Sequence, residues 1–116
     1  MLMGQHATDV LVWTHHTDMR KSIDGLCLLV SGHMDKNPCS GEIFVFFNRV
    51  RDKLKLIYWA ENGFCLLYKR LEKGRFHVPA SSDFVSLTRS QLQLLLQGLP
   101  LKHWPKNPQI SFEKYG

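Results

Sequence analysis

Three β-rich runs fill residues 41–79, and segments with apolar residues at helical spacing lie on either side of them. Residues 10–13, Val-Leu-Val-Trp, form a short β-type run ahead of a polar connection through residues 14–18. From there Met19, Ile23, Leu26, Cys27 and Val30 recur at helical spacing, which predicts an amphipathic helix over residues 19–31. Thr17 or Asp18 is its expected cap and Gly32 its stop. Gly25 inside that helix costs about 1 kcal/mol against alanine, so either a close backbone contact is expected there or the helix assignment fails. Residues 36–41 hold Asn37, Pro38, Ser40 and Gly41 and read as a loop.

Asn62-Gly63 separates two strand-like runs and is a strong hairpin signal, because a type I′ turn needs positive φ at both central residues. With those two as the loop, Glu61 faces Phe64, Lys53 faces Glu72 and Lys55 faces Arg70. One face then carries Leu54, Leu56, Tyr58, Ala60, Cys65, Leu67 and Leu71, with Lys69 as the exception, and is a core face. The other mixes aromatics with charge: Ile57, Trp59, Phe64, Leu66 and Tyr68 among Lys53, Lys55, Arg70 and Glu72. Like charges directly across a strand pair repel, so Lys55 opposite Arg70 calls for an anion over them. A turn through residues 49–52 hangs a strand over residues 42–48 on this hairpin and completes a meander.

Beyond a polar loop at residues 80–83, Thr88 with Gln91 three positions on is a capping box. Leu92, Leu95, Leu96 and Leu99 give the second helix its stripe, and Gly98 and Pro100 stop it. The expected fold is a small α+β single domain: an antiparallel β-meander with an Asn-Gly hairpin, packed by two amphipathic helices. Its core spans about residues 10–99, and residues 100–116 form an extended C-terminal arm docked through Trp104.

At 116 residues the chain fits one domain with a hydrophobic core. The start lacks a signal-peptide pattern and no stretch is long and apolar enough to span a bilayer, so a cytoplasmic place and no membrane partner are expected. Cys27, Cys39 and Cys65 are odd in number and far apart, and read as reduced thiols; His15-His16 reads as a solvated loop.

Charge changes the picture. Between residues 49 and 75 lie Arg49, Arg51, Lys53, Lys55, Lys69, Arg70, Lys73 and Arg75 against Asp52, Glu61 and Glu72. The difference, 8 − 3, equals the +5 of the whole chain, so the rest sums to zero. Such a local field favours polyanions. Arg20 and Lys21 open the first helix, where cations oppose its dipole; they are either further phosphate ligands or partners of Asp18 and Asp24. Basic residues interleaved with rings suit a nucleic acid, with cations on phosphates and Trp59 or Tyr68 on bases. The alternative is that one helix covers each sheet face, making Ile57, Trp59, Leu66 and Tyr68 core.

Chemistry of the catalytic kind finds no footing. Asp18, Asp24 and Asp52 have no spacing of a metal-binding set, and there is no G-x-S-x-G, Walker loop or zinc signature. No catalytic, cofactor or metal residue is assigned, no small-molecule substrate is expected, and the protein is not expected to be an enzyme.

The runs Asp18-Met19-Arg20-Lys21 with Ile23-Asp24-Gly25-Leu26, Ser40-Gly41 before Phe44-Val45-Phe46, and above all Gly63-Phe64-Cys65-Leu66 with residues 68–76, resemble one family. It is the TnpB accessory protein family of bacterial insertion sequences of the type numbered sixty-six. The resemblance covers about residues 10–99; Ser22 stands where members usually have glycine, and Val50 where they often have a basic or small residue. It implies a helper in transposition beside a separate, larger transposase, with no catalytic residues to carry over.

Together these observations lead to the expectation of a DNA-binding accessory protein acting on element ends or target within a transposase complex. The expected contacts are Arg20, Lys21, Arg49, Arg51, Lys55, Lys69, Arg70, Lys73 and Arg75 on phosphate, with Tyr68 for stacking. The rival expectation is a protein-interaction module that bridges or regulates the transposase without touching DNA, with Trp59, Leu66 and Tyr68 as its hot spot.

Overall fold

Strands and helices alternate at the start of the chain and separate later, giving a five-stranded mixed sheet with two helices. The computed structural model describes residues 10–78, 82–101 and 104. In chain order the elements are β1 (Val10–Trp13), α1 (Ile23–Gly32), β2 (Ile43–Phe47), β3 (Lys53–Ala60), β4 (Gly63–Arg70), β5 (Phe84–Leu87) and α2 (Arg89–Leu96). The sheet runs β4-β3-β2-β1-β5. Strands β2, β3 and β4 form the expected antiparallel meander, which makes the domain α+β.

β1 adds to β2 in parallel, Leu11 beside Phe44, because a helix-bearing crossover returns the chain to the same end of the sheet. β5 then closes the other side antiparallel to β1. The residues of β5, Phe-Val-Ser-Leu, lie between the expected loop and the expected helix and had no assignment. Their burial alternates, with Val85 and Leu87 inside. β2 reads Ile-Phe-Val-Phe-Phe and is buried at every position, the mark of a central strand covered on both faces.

Each face carries one helix. Leu26, Leu29 and Val30 of α1 join Leu11, Trp13, Phe44, Phe46 and Ile57. Leu92 and Leu95 of α2 join Val10, Val12, Ile43, Val45, Phe47, Leu54, Leu56 and Tyr58 on the other face. Phe76 and Trp104 complete that second cluster, and Trp104 Nε1 donates to the Leu99 carbonyl at 3.1 Å, so this ring docks as expected. Most of the expected arm, residues 105–116, lies outside the described residues.

Two sequence expectations need correction. The first helix begins at Ile23, not at residue 19, and Ser22 holds its N-cap position without a side-chain bond. Asp18 is spent earlier: its carboxylate accepts the Arg20 backbone N–H at 2.9 Å and grips the Arg20 guanidinium, closing a local turn that competes with helix. Thr17 is buried, its N–H donates to the Phe47 carbonyl at 2.7 Å and its hydroxyl to the His15 carbonyl at 3.5 Å, so it does not cap either. Gly32 is the last helical residue rather than the stop, and His33 is the C-cap. Gly25 does lie inside α1, but its close neighbour is a side chain rather than the expected backbone: a Cβ there would sit 3.3 Å from Lys21 Cβ.

The hairpin turns one residue earlier than expected. Ala60 pairs with Gly63, leaving Glu61 and Asn62 as the loop, with Glu61 at φ 57° and the Asn62 N–H on the Ala60 carbonyl at 2.6 Å. The whole pairing thereby slips by two residues, so the two faces keep their members while every partner changes. Lys55 lies opposite Tyr68 rather than Arg70, and Lys53 opposite Arg70 rather than Glu72. This register matches Leu56 with Leu67, Ile57 with Leu66 and Trp59 with Phe64, where the expected one set Leu56 against Lys69. The Lys53 and Arg70 charges that now face each other each hold an acid of their own, Asp52 at 3.7 Å and Glu72 at 3.0 Å.

Candidate nucleic-acid interface

Residues 48–52 turn β2 into β3 around the Asn48 side chain. Its oxygen accepts the Lys53 N–H at 3.0 Å and its amide donates to Asp52 at 2.6 Å. That second bond lowers the Asp52 pKa, with neighbouring Lys53 adding to the effect. Arg51 takes φ 63° at the tip. The turn therefore projects Arg49 and Val50 outward, both exposed, at the same end of the sheet as the segment entering α1.

That entering segment is pinned by Thr17 on Phe47 and shaped by Asp18. The Arg20 guanidinium fixes the Asp18 carboxyl at about 2, below its ordinary 3.8: its side-chain hydrogen bonds dominate, and the Arg20 backbone N–H and charge add to them. Arg20 itself remains 92% exposed, so its outer donors stay open to an anion. Arg49 Nη2 lies 3.2 Å from His16 Nε2.

Between the entering segment, the turn and the ends of β3 and β4 lies an open concavity of 650 Å³. Arg20, Arg49 and Lys53 supply its positive charge, and Met19, Val50 and Tyr68 its apolar surface. Lys55 lies alongside, its Nζ donating to the Lys21 carbonyl at 2.7 Å and standing 5.5 Å from the Tyr68 ring centroid, a cation-π distance. That bond joins β3 to the start of α1.

The expected contact residues are thus sorted. Arg20, Arg49 and Tyr68 line the concavity; Lys55 stands beside it over Tyr68 and donates to the Lys21 backbone carbonyl, while the Lys21 side chain does not line it. Arg70 shares the face but holds Glu72. Arg51 turns inward, its guanidinium on the Thr14 carbonyl at 3.4 Å and over the Phe47 ring at 5.8 Å. Lys69 is on the other face, where its Nζ donates to the Leu96 carbonyl at 2.7 Å and terminates α2. Lys73 and Arg75 are exposed in the segment after β4 and do not line the concavity. Sequence reasoning left out Lys53, which the expected register neutralised against Glu72, and Val50 and His16. Alternation along β3 places Lys53 beside Lys55 and was the available signal.

The aromatic-covered-or-open alternative resolves by position along the strands. Ile57 is buried under α1, Trp59 and Leu66 are half-buried, and Tyr68 is 49% exposed. Trp59 meets Phe64 edge-on at 5.0 Å. Among the described residues no group of three or more His, Cys, Asp or Glu is placed to hold a metal ion, and no helix is long and apolar enough to cross a membrane.

Comparison with known proteins bears on this arrangement. The chain is 40% identical over 98 residues to the uncharacterized protein y4hO of Sinorhizobium fredii, a match covering 82% of this chain and 85% of that one. It is 33% identical over 100 residues to the uncharacterized protein y4jC of the same organism, covering 85% and 86%. No solved structure matches at a significant level. A family model described as "IS66 Orf2 like protein" matches residues 8–106, nearly all of what is described above. The chain belongs to that family, and is an accessory protein of IS66-type insertion sequences.

Proposed function

We propose that the protein serves IS66 transposition by binding DNA, at element ends or target, through the basic concavity between the α1 entry, the β2–β3 turn and β4. One observation carries the reading: Arg20, Arg49 and Lys53, from three separate elements, converge with Tyr68 on one open surface. Cations so placed neutralise phosphates and release counterions. The protein does no chemistry itself in this reading; a separate transposase, the partner that an accessory role implies, cuts and joins strands in the cytoplasm.

Fluorescence anisotropy of the purified protein against labelled element-end DNA, scrambled duplex and single strand, across a salt series, tests it. Steeply salt-dependent binding is expected. Preference for the element end would mark sequence reading by base-edge contacts, for which arginine is suited. Absence of binding near physiological salt refutes the proposal.

A second reading draws on β4, which is a sheet edge with Leu67 39% and Tyr68 49% exposed. An exposed edge is a template for another chain, so the protein would bridge the transposase without touching DNA. Co-purification with transposase that survives high salt and nuclease treatment supports this rival.

A further inference from the structure

We infer that the concavity takes an unpaired nucleotide, so that the chain prefers single-stranded or locally unpaired DNA to a perfect duplex; this rests on the DNA-binding reading above. Four large apolar side chains stand out as exposed among the described residues: Leu28, Val50, Leu67 and Tyr68. Two of them, Val50 and Tyr68, line the same concavity as Arg20, Arg49 and Lys53. Phosphate neutralisation alone needs cations and gives no role to apolar surface. A ligand that matches both parts has a flat apolar face joined to an anion, which describes a nucleotide whose base is free of its stack.

Size and geometry agree. The concavity's 650 Å³ lies in the range of small-ligand sites, about 300–1,000 Å³, and gives room for one nucleotide. A base inside a duplex has its faces covered by neighbours and must leave the stack to meet a ring. The Tyr68 ring is held for that meeting. Lys55, its ammonium anchored on the Lys21 carbonyl, stands over one ring face at 5.5 Å, so a base meets the opposite face of this half-exposed side chain. Arg20 and Arg49 then take the flanking phosphates. Stacking on an exposed ring is tolerant of sequence, so this site selects strand state, while any sequence preference arises elsewhere.

The test compares the full chain on three probes of one sequence: perfect duplex, the same duplex with a single unpaired adenine, and single strand. Anisotropy measures affinity, and 2-aminopurine at the unpaired position reports stacking by its fluorescence. The unpaired probes are expected to bind roughly ten-fold more tightly than the duplex. Tyr68→Ala removes that advantage and restores the 2-aminopurine signal. Tyr68→Phe keeps the advantage, which separates loss of the ring from loss of the fold. Equal affinity for all three probes, or a Tyr68→Ala variant that keeps the preference, overturns the inference and leaves phosphate binding standing. No binding to any probe overturns both.

Discussion

Replacing Arg20, Arg49 and Lys53 together by glutamine removes the three cations that line the concavity and takes the formal net charge from +5 to +2, that is 5 − 3. Each phosphate contact steepens the fall of log K with log salt by about 0.9 on duplex and about 0.7 on single strand. If each cation meets one phosphate, the triple variant flattens the slope by about 2.7 or about 2.1 respectively. Between 50 and 200 mM salt that amounts to roughly 40-fold less salt sensitivity on duplex and roughly 20-fold less on single strand. Of the ion pairs lost, that with Asp18 is exposed and that with Asp52 is half-buried but long at 3.7 Å; both contribute little to stability, so the thermal midpoint stays near that of the wild type.

The matching control is Lys69→Gln, Lys73→Gln and Arg75→Gln, which changes net charge equally but touches nothing that lines the concavity. Its slope should stay near that of the wild type. Lys69 also holds the Leu96 carbonyl, so this control is the one expected to lose some stability. Salt-series anisotropy on both triples decides the matter. Equal slopes in the two variants would show that bulk charge, not this surface, governs binding, and would refute the placement of the site.

Asp18→Asn keeps an oxygen for the Arg20 N–H but frees the guanidinium from a charged partner; duplex affinity should rise a few-fold. An unchanged or weaker affinity would count against Arg20 as a phosphate ligand. Because the folded-state pKa of Asp18 lies at about 2, below its ordinary 3.8, its stabilising contribution is complete above 3.8 and is lost only as pH falls through about 2. A carboxyl titration followed by NMR should find that low midpoint in the wild type and a higher one in Arg20→Ala, still below 3.8 because the residue-20 backbone N–H remains on the carboxylate. Thr88→Ala breaks the capping box, in which Thr88 Oγ1 accepts the Gln91 N–H at 3.1 Å and Gln91 Oε1 accepts the Thr88 N–H at 2.9 Å; it should cost about 1 kcal/mol, read as a midpoint lower by roughly 4 °C. Thiol alkylation should reach exposed Cys39 before Cys27, whose pKa burial raises; faster loss of Cys27 would contradict its placement on α1 against the core.

The sequence made the meander, the capping box and the composition of both sheet faces legible, because period-two alternation survives any even slip in register. Three things were not legible, each for a physical reason. The two-residue slip of β3 on β4 depends on matching Trp59 to Phe64 and Leu56 to Leu67, a cross-strand energy that outweighs the local preference of Asn-Gly for a turn. The late start of α1 depends on Asp18 choosing Arg20 over a helix N-terminus, and both choices use the same short-range hydrogen bonding. β5 is four residues long and is held by pairing with β1, a contact between distant parts of the chain that no local pattern announces. The charged site was half legible: which cations face each other depends on register, so Lys53 was hidden, whereas Lys69 was expected on phosphate although alternation already set it on the core face.

Helix α1 and the hairpin have unequal lengths, and the concavity follows from the difference. Ten helical residues span about 15 Å at 1.5 Å each. The eight-residue strands β3 and β4 run about 26 Å at about 3.3 Å each. A helix that began at residue 19, without a break, would gain roughly 6 Å more and could lie over this end of the hairpin. The Asp18–Arg20 turn prevents that extension. Ile57 accordingly lies under the helix and is buried, while Tyr68 lies beyond it and is half exposed. The same carboxylate that shortens the helix also holds Arg20 at the rim, so one local turn both uncovers the aromatic and places a cation beside it. Restoring the helix should therefore abolish the site by covering it. A variant with Asp18→Ala and Arg20→Ala, which favours helix through residue 19, should protect Tyr68 from iodination and lose DNA affinity beyond what Arg20→Gln alone costs. Equal affinity and equal Tyr68 reactivity in the two variants would separate the turn from the site.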